Sequence, residues 1–429
     1  MKKVLIITYY WIPSGGPGIQ RLIKFLPHFP RLGWQPIVLT VEKGDYPAID
    51  ESLAQKIPPE CKVYKTPVWE PYHLYRKLTG KSRDEKIPTY VLNPSEEDSF
   101  KEKLAKWVRA KLFIPDARIG WLPHAVHRGI KIIGEENIDL IFSSSPPHTV
   151  QLIARRLTNK TGIKWVADFR DPWSEAFWVA ELQKEGLVKK LNLAMEKSVL
   201  RRADAVVTVT PAIRDMLAAK APNRYEVIYN GFEQLFTEPA PSDTFRILFF
   251  GYLNKYQNWE PLLRAVNRLP EMLRKEIEIN FVGRVFEGFR ENFRKYEHLR
   301  IVFRKYMPHD ELMRFAREAS ILFRPMSSMA YSSGAIGAKL FDYLALRKPI
   351  LAIGQKESVV AKVLEETGSG QVFETDEIGA IAEFITEIYR KWQNQKYVLL
   401  DDNPQLVQYH TATNVKRLVS LFEEVLEGK

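Results

Sequence analysis

Val4-Leu5-Ile6-Ile7-Thr8-Tyr9-Tyr10-Trp11-Ile12-Pro13-Ser14-Gly15-Gly16-Pro17-Gly18 decides the fold class. Its first residues form a short apolar run of the kind that fits a pleated strand, too brief for a helix. Pro13 and three glycines then break the run, and amphipathic spacing from about Ile19 predicts a helix. A strand that feeds a helix through a glycine-rich turn opens a βαβ unit. The turn then lies at the carboxyl end of the strand, where such sheets bind ligands and where helix amides attract anions. Gly15 and Gly16 are therefore candidate ligands of a phosphate. With Gly18 they match neither G-x-G-x-x-G nor a Walker loop, so no dinucleotide or NTPase motif is read there.

Similar runs recur at 36–40, 138–143, 164–168, 205–210 and 227–229. A second set occupies 246–250, 278–282, 300–303, 321–324, 349–353 and 371–373, and stretches of helical length separate most of them. The pattern predicts an α/β protein with two doubly wound, Rossmann-like sheets, and 429 residues are too many for one core. Thr237-Glu238-Pro239-Ala240-Pro241-Ser242-Asp243 interrupts both periodicities. The expected organisation is a first domain over 1–237, a second over 244–405, and a terminal helix within 406–429 that packs back on the first. The stretch 53–114 fits neither scheme. Within it, 99–112 sets Phe100, Leu104, Trp107, Val108 and Lys111 at helical spacing, with Lys101, Lys103, Lys106 and Arg109 on other faces. Such a helix either packs its stripe on the first domain or lies on an anionic membrane surface.

A composition of 45% hydrophobic and 27% charged residues is that of a folded chain. The single cysteine, Cys61, excludes an internal disulfide and a thiolate metal site, so a reducing cytoplasm is the expected compartment. Against 52 acidic residues stand 63 Lys and Arg, a net +11, which favours a polyanion, an anionic membrane or a phosphate ligand. No arginine-rich helix, zinc spacing or aromatic RNA-binding strand motif accompanies that charge, so nucleic acid is not an expected partner. The opening Met1-Lys2-Lys3 and its apolar run resemble a secretory signal, but Thr8, Tyr9 and Tyr10 interrupt it. The expectation is a cytoplasmic protein, with 99–112 as the segment that would hold it to the inner face of the cell membrane.

Chemistry-bearing residues cluster where strands end. His148 follows the 138–143 strand at the start of an expected helix, a place for a neutral imidazole or a proton donor. Asp168, Arg170 and Asp171 crowd the end of the 164–168 strand, in Ala167-Asp168-Phe169-Arg170-Asp171-Pro172-Trp173. Charges there either neutralise one another or face a polar ligand. In the second half, Gly251 permits close backbone approach and Lys255 follows it as a counter-charge. Arg284 closes the next strand. The small-residue loop before Leu340 offers amides from Gly337 onward and Lys339 to a diphosphate. Asp342, about a turn deeper, suits a pair of vicinal hydroxyls such as those of a ribose.

These residues resemble the GT-B glycosyltransferases, above all the retaining family-4 type. The resemblance rests on Thr8-Tyr9-Tyr10-Trp11-Ile12-Pro13-Ser14-Gly15-Gly16, on Ala167 to Trp173, and on Gly337-Ala338-Lys339-Leu340-Phe341-Asp342-Tyr343-Leu344-Ala345, and covers nearly the whole chain. It implies two facing Rossmann-like domains and a nucleotide-sugar held mainly by the second. It further implies a glycan or lipid-linked acceptor on the first, retention of anomeric configuration, and no cofactor or metal. Position by position, Asp342 takes the place of the second glutamate of a Glu, seven residues, Glu motif, which binds ribose. The first falls at Gly334, so the sugar must be held by other groups, Ser332 or Ser333 or backbone. The basic pair set against the diphosphate maps to Lys255, with Arg284 or Lys339 as its second member. Asp168, Arg170, Asp171 and His148 are the catalytic candidates; Gly15, Gly16, Gly251, Lys255, Arg284, Gly337, Lys339 and Asp342 are the donor-binding ones. The expected activity is sugar transfer in bacterial surface polysaccharide synthesis. The alternatives are a nucleotide-sugar epimerase of the same fold and, more remotely, a basic nucleic-acid-binding protein.

Overall fold

The computed structural model describes residues 1–46, 48–70, 114–175, 186–329 and 332–428. The segment 99–112, with its membrane expectation, lies outside them. By contacts the chain divides into two compact units, Met1–Asn230 with Thr411–Lys429, and Gly231–His410.

The first unit contains β1 (Lys2–Ile7), α1 (Pro17–Phe25), β2 (Trp34–Val41), β3 (Lys62–Thr66), α2 (Leu122–Glu136), β4 (Leu140–Ser145), α3 (Thr149–Thr161), β5 (Lys164–Phe169), α4 (Leu187–Arg202), β6 (Ala205–Thr208), α5 (Pro211–Ala218) and β7 (Tyr225–Val227). Its seven strands run in the order β3-β2-β1-β4-β5-β6-β7, and the ladders are parallel. Two-residue alternation divides each strand between two cores. Leu5 and Ile7 pack with Ala125 and Ile153 of α2 and α3, while Val4 and Ile6 pack on the other face with Ile19 and Leu22 of α1.

The second unit contains β8 (Phe245–Leu253), α6 (Glu260–Arg268), α7 (Glu271–Glu276), β9 (Ile277–Val285), α8 (Arg290–Arg294), β10 (Arg300–Arg304), α9 (His309–Arg317), β11 (Ile321–Pro325), α10 (Lys339–Leu346), β12 (Ile350–Ile353), α11 (Val359–Thr367), β13 (Gly370–Phe373) and α12 (Ile378–Gln395). Its parallel sheet is ordered β10-β9-β8-β11-β12-β13. In both sheets the order reverses direction beside the first strand, between β1 and β4 and between β8 and β11, and ligands bind at such a switch point. The last helix, α13 (Thr411–Glu427), belongs to the first unit. Phe422 stacks on Phe29 with centroids 6.1 Å apart and tilts against Phe142 at 5.5 Å, so α13 completes the core on the α1 face.

Three details differ from the sequence-based expectation. β3 is an added edge strand, and β7 occupies Tyr225–Val227 rather than 227–229. The change of unit comes after Asn230, ahead of 237–243. That proline-containing stretch is tied into the second unit. Phe236 N–H donates to the Ala345 carbonyl at 2.9 Å, Ser242 N–H to Lys396 at 2.7 Å, and the Trp392 indole to Ser242 at 3.0 Å.

Candidate functional site

In the second unit the ladder at the switch point is short. β8 and β9 stay paired from Phe245 to Leu253, whereas β8 and β11 pair only through Ile247 with Ile321 and Leu248 with Leu322. Beyond that point the two strands part, and α10 begins beside the gap. Its apolar residues Leu340, Phe341 and Leu344 are buried, and the Tyr343 hydroxyl donates to the Phe323 carbonyl at 2.9 Å while its ring meets Phe250 edge-on at 4.8 Å. These contacts pin α10 to the ends of β8 and β11. Lys339 and Asp342, three residues apart, then share one helix face.

The Lys339 side chain crosses the end of β8. Its Nζ lies 5.0 Å from the Phe249 ring centroid, and a Cβ built on Gly251 would fall 1.9 Å from it. Gly251 also holds φ +113, so both space and backbone conformation demand glycine. Burial, reinforced by the nearby Arg324 charge, lowers the Lys339 ammonium to about 8. Arg324 sits near the end of β11, behind three fully buried residues. Its guanidinium donates to the Ile336 carbonyl and lies 3.5 Å from a Cβ built on Gly337, whose φ is +69. Burial lowers it to about 10, and its Nε is enclosed without a partner. Among the described residues no carboxylate lies within 4 Å of either cation. Asp342 Oδ1 stands 3.6 Å from Nε2 of His309 at the start of α9, with its side chain 20% exposed. Lys255, on the loop after β8, and Arg284, near the end of β9, are exposed, leaning on the rings of Tyr256 at 4.8 Å and Tyr252 at 5.5 Å. Gly334 ends a short turn at Ser332–Gly334 and brings no side chain to the loop. A separate hollow of about 500 Å³ between α8 and β10, lined by Phe286, Phe293, Leu299 and Phe303, holds none of the candidate residues.

In the first unit the same reading needs correction at several positions. The Gly15 amide is already used, donating to Ala48 at 2.8 Å, and Ser14 bridges to Ile49. Gly16, at φ +81, caps α1 and turns the chain. Neither shares a unit with the remaining donor-binding candidates. The Asp168 carboxylate, 0% exposed, is held two-handed by Arg21 of α1 at 3.0 and 3.1 Å and accepts from Ser144 Oγ at 2.7 Å. Arg21 continues to the Ile228 carbonyl at 2.9 Å and Asn230 Oδ1 at 3.0 Å. This is a buried brace between α1, β5 and the stretch that follows β7. Arg170 is likewise spent on backbone, donating to the carbonyls of Gly18, Ser145 (3.1 Å) and Pro146 (2.9 Å), so it ties the first turn of α1 to the end of β4. His148 is 4% exposed and stacked on Trp173 at 4.8 Å. Neither ring nitrogen has a well-formed hydrogen bond, and burial, aided by the Lys220 and Arg170 charges, lowers the ring to about 3 despite a weak pull from the Pro172 carbonyl. It is neutral near pH 7 and serves as packing, not as a proton donor. Asp171 differs: it is set deep beside Arg170 yet reached by solvent, forms no hydrogen bond or ion pair among the described residues, and burial raises its carboxyl.

The residue the sequence reading missed is Arg324. Its only linear signal is a charge at the end of an otherwise apolar strand. Arg21 was hidden for a different reason, since its partner lies 147 residues away.

Two family models match the chain: Glycosyltransferase Family 4 over residues 76–234, and Glycosyl transferases group 1 over 232–399. No curated protein matches it by sequence. Among solved structures it is similar to HepE of Anabaena in complex with UDP and glucose, at 15% identity, with 99% of this chain and 100% of that one covered and a TM-score of 0.59. The lipopolysaccharide outer core galactosyltransferase WaaB in its apo form is similar at 12% identity, 100% and 99% coverage and a TM-score of 0.56. A putative UDP-N-acetylglucosamine 2-epimerase from Listeria monocytogenes gives 12% identity, 100% and 98% coverage and 0.55.

Proposed function

Because the chain is a GT-B glycosyltransferase of the family-4 type, we propose that it takes a sugar from a nucleoside diphosphate and passes it, with retention, to a glycan or lipid-linked acceptor of a bacterial surface polysaccharide. The observation that carries the donor half is the parted β8–β11 switch point, where Lys339 lies across Gly251 and Asp342 follows on the same helix face. A cation and the first amides of α10 oppose charge growing on a departing diphosphate. One preorganised donor of that kind is worth about 3 kcal/mol of barrier. Asp342 suits the ribose hydroxyls. The protein cations supply the counter-charge in this reading, so no metal is called for. HepE, with its UDP and glucose, supports a nucleotide-sugar as the donor, and WaaB supports a surface-glycan acceptor.

On the acceptor side, Asp171 is the carboxylate left to take a hydrogen bond from an incoming hydroxyl. Attack on the same face as the leaving group would let the diphosphate itself draw the proton. The epimerase reading needs acid and base groups poised for proton abstraction, and it is disfavoured by His148, neutral and packed, and Asp168, fully paired. No helix among the described residues is long and apolar enough to cross a membrane; attachment at the inner membrane face rests on the sequence of 99–112. The deciding experiment is a thermal-shift panel of nucleotide-sugars and nucleoside diphosphates, followed by a transfer assay with the best ligand. Saturable protection by one of them supports the reading, and a flat response to the whole panel overturns it.

A further inference from the structure

The resemblance assigns the diphosphate's counter-charge to Lys255 with Arg284 or Lys339. The structure distributes the charge differently. Lys255 and Arg284 are exposed, and charges in water are screened and weakly coupled to a ligand. Arg324 and Lys339 are half-buried at the switch point, each within the field of the other, with no carboxylate within 4 Å among the described residues. Two unneutralised cations in such a place are costly to the folded state, and ordinary packing gives no reason to keep them. Other buried cations are satisfied by an acid or a carbonyl: Arg21 has Asp168, Lys220 has Glu196 at 2.8 Å, and Lys348 donates to the Val398 carbonyl at 2.7 Å. At the end of the sheet Lys339 has no hydrogen bond or ion pair among the described residues, and Arg324 Nε beside it is enclosed and unpartnered.

We propose that Arg324 and Lys339 are the diphosphate-binding pair of this protein, built into the sheet end and α10 in place of the exposed Lys255 and Arg284. The inference rests on the nucleotide-sugar reading for the nucleoside part of the ligand, but the anion site can be probed without it. Arg324 then directs its fork at phosphate oxygens while Lys339 covers the end of β8, and the ligand neutralises both.

The test is calorimetric titration of the wild type and of Arg324→Met, Lys339→Met, Lys255→Ala and Arg284→Ala with inorganic pyrophosphate and with UDP, GDP and ADP, beside their melting temperatures without ligand. Methionine at either buried position should weaken pyrophosphate and nucleotide at least about tenfold, the loss expected for a charge-assisted hydrogen bond, and leave the ligand-free melting temperature equal or higher. The two alanine variants should stay within about threefold of wild type, as exposed charges do. A merely structural arginine would do the opposite, lowering the melting temperature and sparing the ligand. Should Arg324→Met not fold, Arg324→Lys and Lys339→Met carry the same comparison. Wild type that binds nucleotide while both buried variants bind equally well overturns the pair and leaves the transferase reading intact. Pyrophosphate binding lost in the buried variants, with no nucleotide bound, keeps the pair and overturns the nucleotide reading. Wild type that binds neither overturns both.

Discussion

Replacing Lys339 with methionine should move stability and affinity in opposite directions. Burial beside Arg324 holds its ammonium at about 8, against 10.5 ordinarily. The unfolded chain restores the ordinary value, so below about pH 8 both states carry the proton, and the folded state carries it at a penalty. At about 1.4 kcal/mol per unit of displacement the penalty is at most about 3 kcal/mol, and it fades as pH rises from 8 toward 10.5. Lys339→Met at pH 7 should therefore gain up to that amount in denaturant unfolding, less any packing lost by its stem. A bound diphosphate reverses the sign, since it raises the ammonium back toward its ordinary range. Wild-type affinity should be flat below pH 8 and then fall, by roughly tenfold at pH 9, where about one free molecule in eleven is charged. The terminal phosphate finishes ionising near pH 7, so titrations from pH 7.5 to 9.5 isolate the lysine. Calorimetry in two buffers of different ionisation enthalpy would count the proton taken up. A flat wild-type profile over that range, or a Lys339→Met variant less stable than wild type at pH 7, refutes the reasoning.

Asp342→Asn should weaken a nucleoside diphosphate about tenfold and pyrophosphate hardly at all, since only the former brings ribose hydroxyls; paired titrations read the difference. Gly251→Ala would set a methyl 1.9 Å from Lys339 Nζ at φ +113, and a melting curve with and without UDP should show loss of both stability and ligand response. Asp168→Asn strips the buried Arg21 of its counter-ion and should cost about 3–5 kcal/mol in urea unfolding. Asp171→Asn should lower kcat in the transfer assay with little change in KM for the donor, and equal loss in both would move Asp171 to the donor side.

The strands were legible because a parallel strand covered on both faces reads as a continuous apolar run, as at 138–143 and 349–353. β3 was not, since an edge strand carries charge for its own reasons, and Lys62 and Lys65 break the pattern in five residues. Lys339 and Asp342 could be found from helical spacing alone. Arg324 could not, because what distinguishes it is the lack of an acid nearby, a property of loops distant in sequence. Asp168 and Arg170 were singled out for a sound reason, charge at a strand end. Whether such a charge is spent or available depends on residues such as Arg21, Gly18 and Ser145, which only folding brings alongside.

The position of α13 constrains the order in which the molecule can be assembled. Trp34, Phe29 and Phe142 each pack against Phe422, which the ribosome adds after every residue of the second unit. During synthesis the earlier-made half must wait, incomplete and with an apolar flank bare, while the later-made half has all its own strands and can close first. Loss of even a few C-terminal turns through a premature stop would therefore damage the part of the protein that was translated earliest.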